Sequence, residues 1–268
     1  MQTFGTIAQN ASEAAYPHLW KGLVGAWVPS LGVTGDTLRD VSGHGNNGTL
    51  TGMDPATDWQ VDGGGWCLDF DGSNDYVSVG NVDELNGTDE LTIAYWCRKP
   101  SAGTIATCGS QLARNNGFWL SWYSDGNIYW GTHNAGGGTR WKSLAYQDKW
   151  FHICGTYNGT AVLQLYVNGR VRSTSGSGTP PATLSATAAT QFRVGSLLAE
   201  SLYTTGKLSG VTLHNRALAP AEVATLYQAG PGDWLKRKRR RVYSIPSGVV
   251  VYGQRIPRHR TILGGGLR

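Results

Sequence analysis

The chain is short of charge. Charged residues occupy 15% of its 268 positions, and no Asp or Glu occurs after Asp233. It has no run of about 18 apolar residues, which argues against a membrane-spanning helix. The opening MQTFGTIAQNASEAAYPHLWKG has neither a basic start nor a long apolar stretch, so no signal peptide is expected there. The four cysteines, Cys67, Cys97, Cys108 and Cys154, match no zinc spacing. The six histidines are scattered without paired spacing. Tyr95-Trp96-Cys97 and His152-Ile153-Cys154 are apolar runs, so buried thiols acting as small apolar residues are expected. There is no Gly-x-Ser-x-Gly elbow and no Gly-Lys-Ser/Thr phosphate loop, which leaves serine hydrolases and P-loop nucleotide enzymes without a motif.

What is abundant is glycine, at 38, and large flat rings, with 11 Trp and 12 Tyr. Many turns between ring-rich segments favour strands over helices, and the length is enough for one core without staples. From Leu23 to about Tyr227, short alternating apolar runs are broken by Gly, Asn, Asp and Ser, the pattern of an antiparallel sandwich. Strands are expected at 92–96, 118–123, 128–130, 150–156, 161–167, 192–194 and 211–214, with Ser124-Asp125-Gly126-Asn127 as a hairpin turn. Residues 173–190, rich in Ser, Thr, Ala and Pro, read as a long loop. One helix is expected: Pro220 at its start, Glu222 in its first turn, an apolar stripe of Val223, Leu226 and Tyr227, and a Gly230-Pro231 stop.

Charge divides the chain unevenly. Residues 1–233 hold 13 Lys and Arg against 18 Asp and Glu, a net of −5, whereas residues 234–268 hold ten cations and no acid, a net of +10. Lys236, Arg237, Lys238, Arg239, Arg240 and Arg241 form an unbroken basic run, of the kind that seeks phosphate, anionic lipid or an acidic protein surface. The expected organisation is an N-terminal arm at 1–21, a β-sandwich at 22–232 and a basic C-terminal arm at 233–268.

Several segments together resemble one family. These are Gly25-Ala26-Trp27, the stretch from Asp40 to Thr49 (DVSGHGNNGT), and the stretch from Leu68 to Val77 (LDFDGSNDYV). Further along are WFHICGTYNG from Trp150, LYVNG from Leu165, and HNRAL from His214 followed by Glu222 to Tyr227. In order and at this spacing they resemble the laminin-G-like jelly roll of the concanavalin-A-like lectin/glucanase superfamily. The resemblance implies an all-β, antiparallel two-sheet jelly-roll sandwich with one short C-terminal capping helix and extended arms. It also implies that loops such as Asp40 with Asn46, and Asp71 with Asn74 and Asp75, can hold calcium. Where relatives place an acidic pair before the valine of the last strand, this chain has Ser209-Gly210-Val211. Glycosidases of this fold carry their carboxylates as E-x-D-x-x-E on one strand. That string is missing, and the nearest acidic cluster, Asp83-Glu84 and Asp89-Glu90, precedes a strand. No enzyme is expected.

The ring-rich stretch is the natural platform for sugars: Phe118, Trp119, Trp122, Tyr123, Tyr129 and Trp130, with Trp141 following. Pairing across a Ser124–Asn127 turn would put Phe118, Leu120, Trp122 and Tyr129 on one face, and Trp119, Tyr123, Ile128 and Trp130 on the other. Since one face alone can be core, the glycan- or partner-binding residues are expected among Trp119, Trp122, Tyr123, Tyr129, Trp130 and Trp141. The sequence thus reads as a non-catalytic binding or display module of a larger assembly, such as a phage-type virion made in the host cytoplasm. Capsid decoration, head-fibre and tail proteins all fit. Its basic arm would dock on neighbouring subunits or bind nucleic acid nonspecifically, in a homo-oligomeric or assembly-bound form. A stand-alone lectin, with or without calcium, is the alternative.

Overall fold

The protein is described here from a computed structural model, in which residues 12–85, 88–98, 106–111, 118–132, 138–142, 148–160, 162–172, 175–177, 191–197 and 202–235 are described. The chain divides into two units, Met1–Arg237 and Lys238–Arg268, and every described residue belongs to the first.

The described residues form a sandwich of two antiparallel sheets. The eight-stranded sheet runs in the order Arg170–Val171, Leu163–Val167, Phe151–Tyr157, Leu91–Arg98, Thr205–His214, Gly65–Asp71 and Trp59–Asp62, with Leu23–Trp27 also paired to Thr205–His214. The nine-stranded sheet runs Ser175–Ser177, Gly138–Lys142, Asn127–Thr132, Phe118–Trp122, Ala106–Gln111, Phe192–Val194, Tyr76–Gly80, Gly48–Thr51 and Thr37–Leu38. Neighbours in space are often distant in the chain, as a jelly roll requires, and alternate residues of each strand point inward. Ile93, Tyr95 and Cys97 of one sheet thus meet Phe118, Leu120 and Trp122 of the other in a single buried cluster.

Two polar groups tie the sheets through that core. The Tyr95 hydroxyl donates to the Leu120 carbonyl at 3.2 Å, and the Trp130 indole N–H donates to the Thr156 carbonyl at 3.0 Å. The Trp130 ring lies so close to Gly155 that a Cβ there would stand 2.5 Å from it. The glycine of the WFHICGTYNG stretch is therefore a packing requirement.

The expected helix is present as Pro220–Gln228, with Glu222 accepting the Ala219 N–H at 2.8 Å. It covers part of the outer face of the eight-stranded sheet. A second cluster fills the space below it, with Ala94, Cys154 and Tyr166 from the sheet, Val223 and Leu226 from the helix, and Leu19, Trp234 and Leu235 from the chain's flanks. Leu19 and Trp234 show that both flanks are held to the sandwich where they are described. Residues 17–20 form a short helix, the His214 ring bonds to the Leu19 carbonyl at 2.9 Å, and the Ser12 hydroxyl donates to the Trp234 carbonyl at 2.6 Å. From Ser12 on, the N-terminal segment is thus packed on the sandwich, and Trp234 and Leu235 are buried in the short turn Asp233–Leu235. Cys67, Cys97 and Cys154 are buried, as expected. The basic run 236–241 and most of the 173–190 loop lie outside the described residues.

Candidate functional site

The ring-rich hairpin is real, but its register differs by one residue from the expected one. The Tyr123 N–H donates to the Asn127 carbonyl and the Gly126 N–H to the Tyr123 carbonyl, so the loop holds three residues, with Gly126 at φ +81°. Trp122 therefore faces Ile128, Leu120 faces Trp130, and Ser121 faces Tyr129. A shift of one residue exchanges the faces of a whole strand. As a correction, Trp122 and Trp130 are fully buried with Ile128 in the core, and Tyr129 leaves the Phe118 face. Trp119, Tyr123 and Tyr129 are the half-buried rings of the outer face. Trp141 is in register with Ile128, and its side chain lies outside the described residues.

On that outer face Tyr123 and Tyr129 meet edge to face, 5.0 Å between centroids. The Tyr129 hydroxyl donates to Asp125 at 2.8 Å, and Asp125 also accepts the Asn127 amide. The face continues across the sheet: Trp119 opposes Ser110, Ser110 opposes Arg193, and Arg193 opposes Ser78. The Arg193 guanidinium lies 4.2 Å over the Tyr76 ring. Rings flanked by fixed donors and acceptors are the chemistry that a sugar's C–H face and hydroxyls need.

A second aromatic site, which sequence reasoning missed, lies on the outer face of the eight-stranded sheet beyond the helix. Trp96 and Trp150, far apart in the chain, line one cavity of about 130 Å³ with Asp62, Cys67 and Ser209. Trp96 stacks on Tyr227 of the helix at 5.5 Å. Trp150 rests against the Asp62–Gly65 hairpin, where a Cβ on Gly63 would stand 3.0 Å from its ring. Trp66 is 37% exposed. Burial pushes the Cys67 thiol up to about 12, so it is a neutral wall and no nucleophile.

Beside the cavity, Asp69, Lys207 and Arg98 stand in register on three adjacent strands. Asp62 accepts Arg98 at 2.5 Å and Lys207 at 3.2 Å, and Asp148 accepts Arg98 at 2.8 Å. Burial opposes the Asp62 charge, but the hydrogen bonds from Lys207 and Arg98 outweigh it and hold the carboxyl below its ordinary range. A signal was available in the sequence, since Trp150 directly precedes a strand and Trp96 alternates with core residues. Their convergence needed the strand order.

The calcium set does not converge. Asp40 accepts the N–H groups of Ala26, Ser42 and Asn46 and the Ser42 hydroxyl, which commits both its oxygens to the loop. The Asn46 side-chain amide donates to Val24 and Glu84. Asp75 is buried and accepts the Asp71 N–H, and Asp71 accepts the Ser73 N–H, so this second loop is also closed on itself. Burial, with the nearby Asp71 and Asp58 charges, raises the Asp75 carboxyl. Among the described residues no three His, Cys, Asp or Glu form a metal-holding group. These residues do not fit a calcium ion's need for six to eight oxygens. Glu84 accepts from His44 at 2.8 Å, and Glu90 accepts the Ala217 N–H at 3.0 Å.

The profile of the Concanavalin A-like lectin/glucanases superfamily matches residues 71–224, more than half of the chain. No curated protein sequence matches it. Among solved structures the chain is similar to domain 4 of AbnA, an extracellular arabinanase from Geobacillus stearothermophilus, in complex with arabinotriose. That pair shares 17% identity at a TM-score of 0.56, covering 77% of this chain and 98% of the other. The binding domain of Paraclostridial Mosquitocidal Protein 1 shares 20% at 0.57, over 79% of this chain and 53% of that one. A botulinum neurotoxin type C structure, whose report concerns cell entry dependent upon two ganglioside molecules, shares 15% at 0.58, over 80% and 53%. The chain spans about half the length of these toxin structures. At such identities the likeness is one of fold.

Proposed function

The chain belongs to the concanavalin A-like lectin/glucanases superfamily, and from that premise we propose that it is a non-catalytic carbohydrate-binding and display module. The observation that carries this is the outer face of the nine-stranded sheet, where Trp119, Tyr123 and Tyr129 stand half-exposed on strands whose other rings fill the core. Rings on a rigid sheet lose little entropy on binding, and the Asp125 and Arg193 groups nearby supply directional hydrogen bonds. Structures of similar fold described with arabinotriose and with gangliosides support the same class of ligand. The non-catalytic part is supported by Glu84 and Glu90, each committed to a scaffold partner rather than facing its fellow across a cleft.

Glycan-array screening of the full chain, followed by titration calorimetry on the best ligand, tests this. Trp119→Ala and Tyr129→Ala are each expected to weaken binding about tenfold, the value of a lost ring contact of ~1.4 kcal/mol. A chain that retains no glycan, or one whose glycan binding ignores both changes, would sink the proposal.

The charge division supports a further layer. A body of net −5 beside a stretch of net +10 suits a part that displays its sandwich while the 236–241 run docks on an acidic surface of a larger assembly, such as a virion.

A further inference from the structure

We propose that the strand Trp59–Asp62, at the end of the eight-stranded sheet, is a docking edge for an extended segment of a partner protein in which apolar residues alternate with Lys or Arg. The edge belongs to the sheet that does not carry the ring-bearing face, and it does not need that face to bind glycan.

Among the described residues Trp59–Asp62 pairs with one neighbour, Gly65–Asp71, through a hairpin that turns at Gly63 and Gly64. The Asp69 N–H donates to the Asp58 carbonyl at 2.9 Å, which fixes the parity of the ladder. Asp58, Gln60 and Asp62 therefore turn their main-chain groups toward the neighbour, and Trp59 and Val61 turn theirs away from it. No hydrogen bond among the described residues takes up the N–H or the carbonyl of Trp59 or Val61. Open edges are ordinarily blunted by Lys, Pro or a bulge, and Trp-Gln-Val-Asp, paired without a register shift, has none of these.

The edge is also apolar. Val61 stands opposite Trp66, on the side where Trp59 and Leu68 enter the core, and this pair continues that side beyond the core at 62% and 37% exposure. Leu31 and Val33, also exposed, lie on a loop held against the same hairpin. Ser30 lies beside Gly65, and the Gly35 carbonyl accepts the Trp59 indole N–H at 3.0 Å. Four of the six large hydrophobic residues exposed among the described residues thus gather here, and such a patch beside an open edge marks an interaction surface.

The two sides of the edge select the occupant. An added strand sends alternate side chains to opposite sides of the sheet. On one side they meet Val61 and Trp66. On the other they meet Gln60 and Asp58, with Asp54 in the loop before it, whose N–H donates to Asp58 at 2.6 Å. Asp62 is already matched by Arg98 and Lys207, whereas Asp54 and Asp58 belong to no ion pair among the described residues. The uncompensated charge at the edge is therefore negative, in a body of net −5 over residues 1–233. A strand with apolar residues on one side and cations on the other satisfies both sides and takes up the four open main-chain groups. A second copy paired two-fold through this edge would instead set Asp58 opposite Asp62 of its twin, carboxylate against carboxylate. The run 236–241 is cationic throughout and lacks the apolar alternation.

The test is a titration of the full chain with a fluorescent octapeptide of alternating Lys and Val. An alternating Glu–Val octapeptide, a block peptide of Lys followed by Val, and the chain's own Lys236–Arg241 sequence serve as comparisons. The expected result is saturable binding of the Lys–Val peptide, weakening with salt, with slower amide exchange at Trp59 and Val61. The Glu–Val and block peptides should bind at least about tenfold more weakly. Val61→Pro removes an outward N–H and leaves the ladder to Gly65–Asp71 intact, so it should keep the thermal midpoint and weaken binding about tenfold. Gln60→Lys leaves the edge main chain whole and should weaken the Lys–Val peptide by repulsion while favouring the Glu–Val one. No saturable binding, equal binding of the Glu–Val or block peptide, unchanged exchange at Val61, or indifference to both substitutions would each overturn the proposal. Self-association of the full chain that Val61→Pro abolishes would give the edge to a second copy instead, and preference for the Lys236–Arg241 peptide would give it to the basic run.

Discussion

At the scale of single residues, the core sets hard limits. A methyl group at Gly155 would stand 2.5 Å from the Trp130 ring, whose N–H is tethered to Thr156 and so cannot retreat freely. Gly155→Ala is therefore expected to destabilise the fold by about 1–3 kcal/mol, the range for overpacking, read as a lower denaturant midpoint at unchanged slope. Two buried histidines set an acid limit. Burial lowers His152 to about 3 and His214 to about 4, the latter despite its bond to Leu19. A histidine with a depressed folded value favours the folded state while neutral. That stability is whole above the unfolded value near 6.5 and is lost as pH falls toward the folded values. Unfolding free energy should drop by a few kcal/mol between about pH 6.5 and 4, and His214→Gln should flatten part of that slope. A flat profile across this window would contradict neutral burial.

At the scale of elements, Arg216 is the joint between the chain's early residues and its last helix. Its guanidinium bonds both oxygens of Glu222 at 2.8 Å and reaches the carbonyls of Lys21 and His18. Arg216→Ala would leave Glu222 without its cation and the 17–21 segment without its anchor. A loss of about 2–4 kcal/mol is expected, with earlier hydrogen exchange in residues 12–21 than in the strands. Equal protection of that segment in the variant would refute the role. The ring-rich hairpin shows what sequence alone leaves open at this scale. The residues that turn the chain, Asp125 and Gly126, are legible, but a loop of three or of four residues satisfies them equally. Hydrogen bonding between Tyr123 and Asn127 chooses three, and with it the burial of Trp130 and the exposure of Tyr129. Two of the six expected binding rings, Trp122 and Trp130, thus belong to the core, through a parity that no composition signal carries.

At the scale of the whole molecule, Trp234 and Leu235 are buried against the body, just before the basic run. A 1–235 truncation is the clean probe of the basic segment, because a cut at 233 would also remove Trp234 from the cluster beneath the helix. If 236–241 is a docking device, the truncation should retain glycan binding and the full chain's thermal midpoint while losing particle or oligomer association. That association should weaken steeply with salt. Binding to nonspecific DNA with the same salt dependence, and none to protein assemblies, would redirect the arm to nucleic acid.

The sequence by itself determined the class of fold, the short C-terminal helix, the buried thiols and the family, since alternation, turn residues and ordered motifs are local properties of the chain. It also determined that charge is segregated, because that is a matter of counting. Which rings face outward, and that Trp96 and Trp150 share one cleft over an Asp62–Arg98–Lys207 cluster, was decided by tertiary structure. Register and strand order bring together residues as far apart in the chain as Asp62 and Ser209 in that cleft, and both are set by pairing between distant strands.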